Sequence, residues 1–508
     1  MRILFLSFIT AFSFIVFTSV ISGQQKNNES VQITLPDNAI AKIVKEFNLA
    51  VNSQDSDSIQ FFVDKYLAKD LSSVGGKEWS SKKYISLLNN LMRDGGLITL
   101  VDIRQNSDQN YLAVIFKTSK TEKPVGIEFI KDKGNNTLRS MEVHVLGSQN
   151  KPYQWPGDSL NEQGIANAIN EKIKKDFEAG LFSGNVLVVK GDKVLLQKSF
   201  GYADKQKQIL NNNNTRFHTG SLGKMITATA IAQLVEAGKL RFTDTLGTIL
   251  IDYPNKEAAN KITVHELLTH TSGIADPFEL GRRKPGVDYS TAKSVFPLFA
   301  DAPLSMVPGS HHSYSNGNYA VLAAIVEKIS GMSFENYLQQ NIFIPAEMQV
   351  GSPDSYKKLE LANRYSHDIV NDPLSLKPET LVSDPSNDIQ LEYSGFCNGY
   401  LTAEDVYKFL YSLKEGKLVS AKMVEEITSG KVSVDGGSPV KYAYGFYDAN
   451  MWGVNFRGHS GGGGNSGIGA EAEILWSKDY YVIVLGNCDL DKVRPITFSV
   501  VRFLGNQQ

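Results

Sequence analysis

Cysteine is scarce in this chain: Cys397 and Cys488 are the only two in 508 residues. That excludes a disulfide framework and a cysteine-rich metal centre. One disulfide and two buried thiols remain as equal readings. Histidine is scarce as well, with eight residues. His265 and His270 stand five apart, about 140° round a helix, so they share no face. His311 and His312 are sequence neighbours that point opposite ways. No metal and no cofactor are expected. Charge of one sign is missing: the formal net charge is −2 and there is no long basic run. That excludes a nucleic-acid partner and a polybasic membrane patch. Long apolar runs are missing too, with one exception at residues 3–21, behind Arg2 and ahead of Ser22-Gly23. A basic start, an apolar core and small residues at the cut read as a signal peptide over 1–23. The run is also long enough for an uncleaved anchor. The expectation is a periplasmic or secreted protein whose mature chain spans no membrane.

What is there is an ordinary globular composition, 42% hydrophobic and 21% charged, in a chain long enough for more than one domain. Residues 32–147 read as helices at 37–54, 59–71 and 82–92, then strands at 97–104, 111–117, 125–131 and 138–146. This is a small α+β domain. It holds no catalytic constellation, and His144 reads as a strand residue. Residues 148–161, with Pro152 and Pro156, read as a linker. A second domain, 162–508, opens with a helix carrying Ile165, Ile169, Ile173 and Phe177 on one face. Strands at 185–190 and 193–200 follow, then a mostly helical middle, strands at 470–477 and 480–486, and a last helix at 495–504. Strands at both ends predict a single antiparallel sheet covered by helices.

The chemistry centres on Ser221, at the mouth of a helix marked by Met225, Ile226, Ala230, Ile231, Leu234 and Val235, with Gly238 as its stop. Lys224, three residues on, lies on the same face. Serine there sits among unpaired backbone N–H groups at the positive end of the helix, as a nucleophile that creates an oxyanion requires. A desolvated lysine one turn on accepts its proton. A capping serine and a surface lysine give the same pattern. Tyr314-Ser315-Asn316 precedes a second apolar helix. There Tyr314 reads as a proton shuttle whose pKa a cation such as Lys224 would lower, or as a core tyrosine. Gly458-His459-Ser460-Gly461-Gly462 fits a G-x-S-x-G elbow by letters. The elbow needs a following helix and a later histidine, and neither is present. The other reading is a strand edge whose glycines let backbone approach a substrate. A phosphate cradle would need a Lys-Ser/Thr pair that is absent.

Taken in order, Ser221-Leu222-Gly223-Lys224, Tyr314-Ser315-Asn316 and His459-Ser460-Gly461 resemble the S-x-x-K, Y-x-N and K/H-T/S-G motifs of the serine β-lactamase and penicillin-binding protein superfamily, in its class C-like branch. The runs at 262–274 and 394–410 resemble it too, and the likeness covers about 162–506. It implies a β-lactamase-like α/β sandwich: an antiparallel sheet flanked by helices, with a helical insert. The N-terminal domain resembles the NTF2-like (SnoaL-like) cone fold. The resemblance further implies that Ser221 forms an acyl-enzyme while Lys224 and Tyr314 handle protons. Backbone N–H groups of Ser221 and Gly462 would form the oxyanion hole. Asn316, His459, Ser460 and Gly461 would bind and position a small-molecule or peptide substrate. His459 departs from the commoner lysine, and a neutral imidazole is a poorer carboxylate anchor. The expected function is a serine hydrolase acting on an ester or amide, such as a D-amino-acid peptide. The alternatives are a β-lactamase and an idle binding or sensor protein. Specificity is expected at 275–310 and 350–395. The oligomeric state is left open.

Overall fold

The computed structural model describes residues 35–67, 77–105, 111–120, 124–131, 136–145, 153–157, 159–282, 287, 289, 291–350, 359–366, 379–383, 393–434, 439–462 and 466–507. The apolar run at 3–21 and the glycine loop at 463–465 lie outside them, as do parts of the stretches at 148–161, 275–310 and 350–395. The chain divides into two compact units, one lying within Phe8–Gln154 together with His367–Thr380, the other built mainly from Trp155–Ser366 and Leu381–Gln508.

In the first unit, helices Ala39–Asn52, Ser56–Tyr66 and Lys77–Asn90 precede strands Ile98–Gln105, Tyr111–Thr118, Val125–Lys131 and Leu138–Val145, paired in chain order as an antiparallel meander. Asn38 and Asp55 start the first two helices by accepting backbone N–H bonds at their N-caps. The third helix begins five residues before the apolar spacing suggests and leaves through a π turn, Leu91–Gly95. Phe47, Phe62, Phe116 and Phe129 form the centre of the core.

The second unit is built on eight antiparallel strands. Their order is Val432–Ser433, Val440–Tyr442, Tyr447–Met451, Val454–Gly462, Gly469–Leu475, Tyr480–Gly486, Gly184–Lys190, Lys193–Phe200. The penultimate pairing joins the last strand of the chain to the unit's first, so the sheet closes on segments almost 300 residues apart in sequence, as the ends-together expectation requires. Tyr480–Gly486 is buried at every position because both faces are covered. Tyr481, Ile483 and Leu485 join the large core under the helical middle, while Val482 and Val484 face the other way. Helix Leu490–Asn506 packs over Gly469–Leu475 and Tyr480–Gly486, and Glu162–Glu178 packs over Lys193–Phe200. Two boundaries differ from the sequence reading. The last helix starts at Leu490, so Pro495 lies inside it, past the first turn, where proline lacks an N–H that the helical ladder would use. Phe177, expected on the buried face, is 39% exposed and meets the ring of Phe200 only from one side. The two thiols do not pair: Cys397 lies against His218, and Cys488 against the Ser183 carbonyl.

Candidate functional site

Ser221 sits in a short 3₁₀ turn, Gly220–Leu222, that runs straight into the helix Gly223–Glu236. This helix is buried on nearly every side through Leu234. It stops where expected, with Gly238 at φ 68° and its N–H on the Val235 carbonyl. Burial of the helix carries Lys224 inside with it, fully enclosed. Its Nζ donates to Ser221 Oγ at 2.9 Å, to Asn316 Oδ1 at 2.7 Å and to the Phe396 carbonyl at 3.4 Å.

Tyr314 and Asn316 arrive from the second apolar helix, Asn316–Ser330. Ser315 is its N-cap and accepts from the Gly317 N–H at 3.1 Å. Tyr314, one residue outside, donates to Ser221 Oγ at 3.0 Å. Serine, lysine, tyrosine and asparagine therefore form one hydrogen-bonded cluster from two helix starts 92 residues apart. Gly317 matters here: a Cβ on it would come within 2.7 Å of the Ala275 carbonyl. The close approach brings the 275–276 backbone against the helix mouth, and with it Asp276.

Asp276 is a site residue that the sequence reading missed. Its buried carboxylate accepts from the Asn316 backbone N–H and from Asn316 Nδ2, both at 2.8 Å, and from the Phe278 N–H at 2.9 Å. Holding the amide NH₂ this way turns Asn316 Oδ1 toward Lys224. The reverse amide orientation would aim donors at an ammonium group. An acidic residue just past the 262–274 run was the available signal, but an isolated aspartate carries no motif.

Burial pulls the Lys224 ammonium from its ordinary 10.5 down to about 7, against the opposing pull of the Asp276 and Cys397 charges. Tyr314 goes the other way. Burial raises its phenol well above the usual 10, with Tyr447 adding to the rise. The expectation that Lys224 lowers the tyrosine's pKa is thus corrected. The ammonium lies over the ring face, 4.9 Å from its centroid, and desolvation of the phenolate dominates.

The third motif lies wholly in strand Val454–Gly462, which excludes the elbow reading. The ladder to Tyr447–Met451 ends at the pair Tyr447–Gly458. From His459 to Gly462 the strand therefore turns an edge toward the nucleophile turn. A Cβ on Gly461 would sit 1.9 Å from the Thr219 carbonyl oxygen and 3.1 Å from the Ser221 nitrogen; one on Gly220 would sit 3.0 Å from the Gly462 nitrogen. Only glycine allows backbone so close. His459 pairs with Ala472 and shares the face of the helical core, where its Nε2 meets Tyr442 Oη at 3.0 Å. Its Nδ1 lies 2.6 Å from the Ser460 carbonyl. Burial, with the Lys224 and Arg494 charges nearby, drops His459 to about 3, so the ring is neutral. Ser460 pairs with Glu471 on the opposite face and accepts from Arg494 at 2.7 Å.

His265 and His270 are held in structural contacts. His265 bonds the Tyr444 hydroxyl at 2.7 Å. His270 has left the helix, at φ 57°, and stacks behind Tyr314 with centroids 4.1 Å apart. Its Nδ1 accepts from the Ser315 N–H and meets the Asn318 amide. No helix among the described residues is long and apolar enough to cross a membrane.

Residues 166–498 match the family model described as Beta-lactamase. A putative penicillin-binding protein, PbpX, of Bacillus subtilis (strain 168) is 34% identical over 282 residues, which cover 55% of this chain and 66% of that protein. A teichoic acid D-alanine hydrolase of Staphylococcus aureus (strain NCTC 8325 / PS 47) is 28% identical over 323 residues, 62% of this chain and 72% of its own. The crystal structure of a penicillin binding protein from Bacillus halodurans superposes with a TM-score of 0.53 at 26% identity, over 65% of this chain and 98% of that one. With sheet, helices and family model in agreement, the chain belongs to the Beta-lactamase family of serine hydrolases.

Proposed function

We propose that this chain hydrolyses an ester or amide of a D-amino acid through an acyl-enzyme on Ser221. The observation that carries the reading is the Ser221 hydroxyl held between a fully buried Lys224 and Tyr314. Lys224, near neutrality at pH 7, takes the hydroxyl proton as Oγ bonds the carbonyl carbon. N–H groups of Ser221 and Gly462 face the oxyanion, each worth about 3 kcal/mol. The C–O or C–N bond then breaks, and the departing alcohol or amine takes its proton from the Lys224 ammonium through the Tyr314 hydroxyl. Water repeats the cycle on the acyl-serine and frees the acid. Tyr314, kept as a neutral phenol, is suited to relay a proton and poorly suited to be the primary base. The D-amino-acid part of the reading draws on the teichoic acid D-alanine hydrolase relative.

We assign export to the same reading, on Arg2 and the apolar run at 3–21, and an NTF2-like nature to the smaller unit on its sequence resemblance. A panel of D-amino-acid esters, D-amino peptides and β-lactams tests the function. Turnover of the D-aminoacyl compounds that falls at least ~10⁴-fold in Ser221→Ala supports it. Efficient hydrolysis of β-lactams alone would identify a β-lactamase instead, and full activity in Ser221→Ala would remove the acyl-enzyme altogether.

A further inference from the structure

The nucleophile turn is braced by the 394–401 segment. The Gly395 carbonyl accepts from Thr227 Oγ1 at 2.6 Å, the Gly399 carbonyl accepts from Thr219 Oγ1 at 3.2 Å, and Asn398 Nδ2 donates to the Gly223 carbonyl at 2.7 Å. Phe217–His218 and Tyr400–Leu401 pair as a short antiparallel ladder. From that ladder the buried His218 ring closes back on the turn, and its Nδ1 accepts from the Gly220 N–H at 3.2 Å. The other edge of the ring meets Cys397, with Sγ 3.5 Å from Nε2, and the Tyr400 ring stands edge-on with centroids 5.1 Å apart. These contacts fix the tautomer: Nδ1 faces a donor, so the ring proton sits on Nε2 and points to the sulfur. Burial, with the Arg364 charge nearby, drops His218 to about 3, so the ring is neutral and Nδ1 keeps its lone pair. The Thr219–Gly220 peptide is thereby held at both ends, its N–H by His218 and its carbonyl by the Leu222 N–H at 3.2 Å. The next amide, that of Ser221, has no backbone acceptor among the described residues and lies beside the 459–462 edge.

We propose that His218 is a positioning residue for acyl transfer: its Nδ1 pins the Gly220 amide and so aims the Ser221 N–H at the oxyanion. The inference rests on the acyl-enzyme reading above and adds to it a residue outside the three motifs. Gly220, at φ 52°, has no side chain to restrict rotation of the peptides on either side of it. The tie to His218 supplies that restriction, in the manner of an asparagine side chain that accepts from the amide two residues on. Without the tie a buried N–H has no acceptor, and the turn relieves this by rotating the peptide. The Ser221 amide then leaves the place it shares with Gly462.

The second-order rate of Ser221 labelling by a fluorophosphonate, whose P=O oxygen occupies the place of the acyl oxygen, tests this on the full chain, with thermal melts to confirm folding. His218→Phe keeps a ring of similar size and accepts nothing. His218→Asn loses the ring and sets Oδ1 near the place of Nδ1, where it accepts from the same N–H. His218→Phe should label about 10- to 10²-fold more slowly than wild type, the loss typical of a misplaced group. His218→Asn should recover most of the wild-type rate. The rate's pH midpoint near 7, set by Lys224, should stay in place in His218→Phe. Wild-type labelling in His218→Phe, or labelling as slow in a folded His218→Asn, overturns the proposal. A midpoint that moves with the lost rate overturns the assignment to the amide, because the base is then disturbed. If a variant does not fold, nitrogen-15 shifts of the wild-type His218 ring at neutral pH decide: a proton on Nε2 is expected, and one on Nδ1 overturns the proposal. Failure to label Ser221 in wild-type protein would instead remove the acyl-enzyme reading.

Discussion

A lysine enclosed between a serine hydroxyl and an asparagine carbonyl holds its proton weakly, because no water is left to solvate the ammonium. Two consequences follow for Lys224. As the proton acceptor it must be neutral, so kcat/KM should rise with pH through a midpoint near 7 and level off above it. The folded chain also binds fewer protons at this site than the unfolded chain between about 7 and 10.5, so the group's contribution to stability rises with pH across that window. Lys224→Met should abolish turnover and remove that part of the slope in urea melts taken at several pH values. Asp276 acts one step back. Its charge raises the Lys224 pKa, and its oxygens orient Asn316. In Asp276→Asn the rising limb should move to lower pH while kcat/KM falls about tenfold or more, the loss typical of a mispositioned catalytic group. A limb that stays in place would mean that Asp276 only supports the fold.

At the scale of elements, the site is a meeting of two helix mouths and one strand edge, and the spacing between them is set by hydrogens in place of side chains. Gly461→Ala would drive a methyl group to 1.9 Å from the Thr219 carbonyl. The strand and the nucleophile turn would part, and the amide pair with them. Acylation should fall about 10²- to 10³-fold, the cost of one lost oxyanion donor. A stopped-flow trace of acylation beside a thermal melt checks this, and an unchanged rate would show the edge to be slack. The elements themselves were legible where one side chain or one period fixes them: the serine–lysine spacing, the Gly238 stop, the alternating strands of the smaller unit. Asp276, Glu471, Glu473 and Arg494 were not. Each is a single charged residue in a segment whose local pattern is satisfied without it, and only the folded sheet brings Glu471 of one strand beneath Ser460 of the next. A glutamate at alternate positions of a strand covered on both faces was the one trace they left.

For the whole molecule, the pairing of Tyr480–Gly486 with Gly184–Lys190 makes the larger unit cooperative, since its first and last strands are neighbours. Helix Leu490–Asn506 covers the neighbouring pair Gly469–Leu475 and Tyr480–Gly486, burying Val493, Ile496, Val500, Val501, Phe503 and Leu504. Truncation after Asn487 should therefore expose both strands and leave no cooperative melt for this unit; a truncated chain that still melts sharply and hydrolyses ester would refute that. The strand-at-both-ends topology was readable from two short apolar runs. Which strands lie between them was not, because the 432–462 stretch is turn-rich and its pairs are short. All of this geometry serves one claim, that Ser221 becomes acylated. Intact-protein and peptide mass spectrometry after incubation with a fluorophosphonate and, separately, a rapidly quenched D-alanyl ester is its most direct test. A single adduct on the peptide bearing Ser221, absent from Ser221→Ala, is the predicted result; no adduct with either reagent, or one carried by Ser460, would contradict it.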